Sequence, residues 1–149
     1  MNKISFKKFI PGIAWFFIVL VLMCLPGEDL PPTDWLHINF LDKWLHVAVF
    51  GCLVFLFCWP FHNSLFNEKQ RKYYFIKIAL AVSIWGLTIE FIQKYFIPGR
   101  SFDLLDWAAD STGSLITFFI CLRIFINPNK NINQGYDKMN WNIHIKEII

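Results

Sequence analysis

Three separated stretches combine acids, bases and a histidine at helical spacing. Asp42, Lys43 and His46 form the first, and Asp42 and His46 stand four apart, so one helix face presents both. Glu90 and Gln93, three apart, form the second. The third begins with Arg100 and continues through Asp103, Asp106 and Asp110 at spacings of three and four, again one helical face. Lys43 and Arg100 can hold a phosphate or carboxylate, and arginine is the better clamp because its planar fork bonds two oxygens at once. All nine residues are therefore candidate ligand-binding groups. His46, Glu90 and Asp106 are also the candidate catalytic groups, able to order a ligand or shuttle a proton. An ion-pair network that only fixes the fold is the competing reading, since such networks also gather charge.

Several chemistries lack support. No serine or cysteine nucleophile motif accompanies these residues. The aspartates offer oxygen ligands without dedicated metal spacing, so no metal site is expected. No cofactor is expected either. The net charge of +3 comes without a basic stripe interleaved with aromatics, which argues against nucleic acid. Cys24, Cys52, Cys58 and Cys121 all fall in apolar stretches with no C-x-x-C pair, and read as small packed residues.

The elements that position these groups are long apolar blocks. Of 149 residues, 56% are hydrophobic and 19% aromatic. Blocks run from about Phe9 to Leu25, Trp44 to Phe61, Tyr74 to Ile97 and Leu104 to Ile126. Each approaches the ~20 residues that a helix needs to cross the hydrocarbon core. Lipid cannot satisfy backbone polar groups, so each block is expected to be helical. The expectation is an all-α integral membrane bundle of four transmembrane helices over residues 1–126, followed by a polar cytoplasmic tail over 127–149. Pro11 suits a helix start. Pro26-Gly27 and Pro98-Gly99 stop the first and third blocks. The first block lacks a small-residue cleavage site, because Val21-Leu22-Met23-Cys24 is bulky, and so reads as a retained helix.

Charge sets the expected orientation. Lys3, Lys7 and Lys8 precede the first block; Lys69, Arg71 and Lys72 fall between the second and third; Lys130, Lys138 and Lys146 lie in the tail. Both termini are therefore expected in the cytoplasm. Glu28, Asp29, Asp34 and Asp42 then lie outward, with Lys94 and Arg100 in the other outward loop. Trp35, Trp44, Trp59, Tyr73, Tyr74, Tyr95 and Trp107 sit near block ends, as an interfacial aromatic belt does. The segment from Met139 to Ile149 reads as either a short strand or a surface-lying stretch.

In that orientation all three polar stretches share one depth near the outer interface, and helix packing can bring them together. Glu90 is the deepest acid and needs a partner or a proton. Arg100 and Lys43 are the expected partners. Gly113 and Ser114 let another helix approach closely.

These residues resemble the VanZ-like family. The resemblance rests on Asp42-Lys43-x-x-His46, then Glu90-x-x-Gln93 leading through Pro98-Gly99-Arg100 to Asp103, Asp106, Asp110 and Gly113, with Leu25-Pro26-Gly27 ending the first block. It spans roughly Ile13 to Ile126. It implies a small polytopic protein of the bacterial plasma membrane, in a family named for an accessory protein of teicoplanin resistance; it supplies no reaction. His46, Glu90, Gln93, Arg100 and Asp106 carry over directly. Asp110 stands where the family generally has asparagine, and the extra carboxylate favours protonation of one acid or a cationic partner.

Three functional readings follow. The first is an outward polar pocket for an anionic or lipid-linked envelope ligand, with membrane lipids as neighbours. The second is a hydrolase or transferase on a lipid-linked precursor, with His46 as base and Asp42 or Asp106 orienting it. The third is a proton-coupled transporter or assembly partner, in which a homo-oligomer supplies the helices that four alone lack.

Overall fold

The computed structural model describes residues 4–25, 41–62 and 64–126. Those residues form four helices, α1 (Ile10–Met23), α2 (Leu41–Cys58), α3 (Glu68–Phe96) and α4 (Leu104–Ile126). One-turn 3-10 segments precede α1 at Phe6–Phe9 and follow α2 at Trp59–Phe61. All four helices, α1 and α2 taken with their 3-10 turns, are long and apolar enough to cross a membrane. The tail and the loop between α1 and α2 lie outside the described residues, including Pro26, Gly27, Trp35 and the segment from Met139 to Ile149.

Seven of the eight block boundaries hold to within three residues; α3 starts six residues before the apolar pattern does. The reason is a capping box. The Asn67 side chain accepts from the backbone N–H of Gln70, and the Gln70 side chain accepts from the backbone N–H of Asn67. Lys69, Arg71 and Lys72 are therefore helical rather than loop residues. At 1.5 Å per residue, the 29 residues of α3 extend about 43 Å, well beyond a ~30 Å hydrocarbon core, so the charged first turns clear the lipid. At the other end the helix stops at Phe96 with Ile97 extended, and Gly99 turns the following chain with a φ of 73°, a left-handed conformation that glycine adopts without steric cost.

Helices α2 and α4 run parallel, and α3 runs antiparallel to both. Small residues set the closest approaches. Gly113 of α4 lies against the backbone of Val47 on α2, where an added methyl would overlap the Val47 carbonyl. Gly51 of α2 faces Thr117, with only 2.8 Å between a methyl there and the Thr117 hydroxyl. Without a hydrophobic drive between helices in lipid, such close backbone contact supplies the packing energy. The buried core combines Val19, Phe50, Leu53, Val54, Phe75, Ile89, Cys121 and Phe125. Large apolar side chains such as Leu80, Ile84, Phe119 and Ile124 face outward, as a bilayer-solvated surface requires. Trp44, Trp59, Tyr73 and Tyr95 are exposed near helix ends, in keeping with an interfacial belt. The four cysteines are free, with Cys58 and Cys121 buried.

Candidate functional site

The starts of α2 and α4 and the end of α3 meet at one end of the bundle. Parallel packing puts Lys43 beside Asp106 and His46 beside Asp110. Lys43 Nζ donates to Asp103 Oδ2 at 2.8 Å and to Asp106 Oδ1, and lies 3.0 Å from Asp42 Oδ2. One ammonium thus has all three of its protons directed at carboxylates. Asp103, just before α4, is outside the membrane span, and the Lys43 ammonium beside it holds its carboxyl below the usual carboxylate range.

His46 sits one turn deeper and is buried. Its Nδ1 lies 2.9 Å from Asp110 Oδ1, and its Nε2 lies 3.9 Å from Asp106 Oδ1. An ionised carboxylate only accepts, so Nδ1 donates and Nε2 is the basic nitrogen of the neutral ring. His46 is thus the side chain that the extra carboxylate at Asp110 meets. The Ser114 hydroxyl donates to the Asp110 carbonyl, continuing the same face.

Glu90 and Asp110 are completely buried. Glu90 Oε2 accepts from the backbone N–H of Asp103 at 2.8 Å, so its partner is a main-chain group and neither Arg100 nor Lys43. Among the described residues, Glu90 Oε1 and Asp110 Oδ2 have no hydrogen-bond partner. Asp110 Oδ2 rests in a notch made by Gly86, where a methyl would come within 2.6 Å of it. Gly86 was not singled out from sequence. Its position four residues before Glu90, on the same face of α3, was the available signal.

Gln93 and Arg100 serve a different contact. Gln93 Nε2 donates to the Met23 carbonyl at 2.7 Å, and Arg100 Nε donates to the Leu25 carbonyl at 3.4 Å. Both satisfy carbonyls at the C-terminal end of α1, which no intrahelical N–H reaches. Away from the cluster, the Ser83 and Ser111 hydroxyls bond at 2.7 Å and the Trp107 indole donates to the Ser83 carbonyl, tying α3 to α4 just below it. Sequence reasoning gave Ser83 and Ser111 no role and read Trp107 only as part of the interfacial belt.

In total, five carboxylates surround one ammonium and one imidazole. Among the described residues no cluster of His, Cys, Asp or Glu has the arrangement of a metal site. The arrangement accepts hydrogen bonds and protons; it is short of donors.

Four membrane-length helices with ionisable side chains gathered at one end define a small multi-pass membrane protein. This chain belongs to the VanZ/LLP1 family, whose model matches residues 4–126. No curated protein and no solved structure matches it.

Proposed function

We propose that this protein acts in the bacterial plasma membrane as a VanZ-like envelope protein, and that its carboxylate–histidine cluster receives a protic group of a lipid-linked ligand at headgroup depth. The observation that carries the reading is the pair of buried oxygens, Glu90 Oε1 and Asp110 Oδ2, left without a hydrogen-bond partner among the described residues, near His46. A buried carboxylate oxygen without a donor is costly, by about 1–3 kcal/mol or more for a charged group. A ligand hydroxyl or ammonium relieves that cost; an anion does not. Lys43 is engaged by three acids and is a poor anchor for a phosphate. Arg100, in the loop between α3 and α4 with its Nε on the Leu25 carbonyl, is the cation assigned to a phosphate of the same ligand.

A catalytic version has its own support in the His46–Asp110 contact, in which a carboxylate orients an imidazole whose second nitrogen can take a proton. Hydrolysis or transfer on a lipid-linked cell-wall precursor is the corresponding chemistry.

The test is protection against teicoplanin in a susceptible bacterial host expressing the full chain. His46→Gln and Asp110→Asn are expected to accumulate in the membrane at normal levels and to lose protection. Full protection by both variants, where the unaltered chain protects, would remove the cluster from the function. Turnover of a lipid-linked cell-wall precursor by the purified protein, abolished in His46→Gln, would select the catalytic version.

A further inference from the structure

At the end of the bundle remote from the acid cluster, a concave pocket of about 280 Å³ is lined by Lys7, Lys8, Pro11, Trp59, Pro60 and His62. It lies where one span begins and another finishes, since the first opens at Phe6 and the second closes at Phe61. Its depth is therefore that of phospholipid headgroups. Lys7 and Lys8 are exposed on the 3-10 turn before α1, and among the described residues neither has an ion-pair partner. Trp59 is 54% exposed, with its ring 6.0 Å from that of His62. Ligand pockets usually hold about 300–1,000 Å³, so this one suits a headgroup rather than a whole lipid. No acid lines it.

We propose that this pocket binds the phosphate headgroup of an acidic membrane phospholipid. The Lys7 and Lys8 ammonium groups supply the charge. Trp59, with an apolar ring and a polar N–H, suits the boundary between glycerol and acyl chain. Basic pockets between membrane helices bind acidic headgroups by this combination of charge and depth. A free phosphate shares the charge but gains nothing from Trp59, Pro60 and Pro11, which favours the lipid as the source. The site is independent of the acid cluster and its assigned role.

The experiment counts phosphatidylglycerol bound to the purified full chain in neutral micelles, by native mass spectrometry, with phosphatidylcholine as comparison. Phosphatidylglycerol is expected to bind preferentially. Lys7→Ala/Lys8→Ala is expected to lower its affinity about 30-fold, from roughly fivefold per lysine near a lipid surface. Lys69→Ala/Lys72→Ala removes the same charge from the same face outside the pocket and is expected to change affinity less than threefold. Trp59→Ala is expected to weaken phosphatidylglycerol and leave inorganic phosphate unaffected. Equal losses in the two lysine pairs would overturn the site in favour of diffuse surface charge. Displacement of the lipid by modest inorganic phosphate, insensitive to Trp59, would overturn the lipid as its occupant.

Discussion

Replacing Lys43 with methionine removes the ammonium at the centre of the cluster while keeping a side chain of similar length. Its three contacts are unequal. The Asp42 and Asp103 side chains are 60% and 40% exposed, so water screens them, and each pair contributes about 0.2–1 kcal/mol. The Asp106 side chain is only 12% exposed and that of Lys43 19%. Breaking a largely buried pair costs about 3–5 kcal/mol, because the remaining charge is stranded. The sum for Lys43→Met is about 3–7 kcal/mol of stability, most of it from Asp106. Reversible unfolding of the protein in mixed micelles by increasing sodium dodecyl sulfate, followed by tryptophan fluorescence, measures it. In Lys43→Met/Asp106→Asn the stranded charge is gone, and the loss is expected to shrink to about 1–2 kcal/mol, giving a coupling of roughly 2 kcal/mol or more. A single-variant loss below about 1 kcal/mol would refute the reasoning. So would a cycle in which the two substitutions simply add.

Gly86→Ala places a methyl against Asp110 Oδ2 and is expected to reproduce the loss of protection of Asp110→Asn in the teicoplanin assay, with the protein still inserted. Asn67→Ala removes the capping box of α3 and is expected to cost about 1 kcal/mol in the same micelle titration, with no effect on protection. The Asp103 carboxyl titrates below its unfolded range, so its contribution to stability is full above about pH 4 and is lost as pH falls through the lowered value. Asp103→Asn is therefore expected to flatten the acid side of the stability profile and to leave its neutral and alkaline sides parallel to those of the unaltered protein.

The spans were legible because lipid leaves a chain few choices: about twenty apolar residues in a row must be helical. The start of α3 was not read from hydropathy, because its first turns are charged; Asn67 and Gln70 carried the signal in their spacing instead. The common depth of the three polar stretches was also legible, since it follows from counting residues from each helix end. The pairings within the cluster were less so. Glu90 meets a main-chain N–H, and a backbone donor leaves no trace in residue types. Lys43 meets Asp106 because α2 and α4 are parallel and in register, a property of packing. Gln93 and Arg100 turn to α1 because that helix ends with open carbonyls, whose position depends on where α1 comes to rest.

The abutment of Gly113 on Val47 has an implication for how this family can vary. Val47 directly follows His46, and Gly113 lies three residues beyond Asp110, so this close backbone contact is also the datum from which the charges are aligned. Adding one residue between His46 and Val47 would rotate everything before it by about 100°. Lys43 and His46 would swing off the α4 face together, with every residue type still present. Along this stretch the number of residues therefore matters to the cluster as much as their types do.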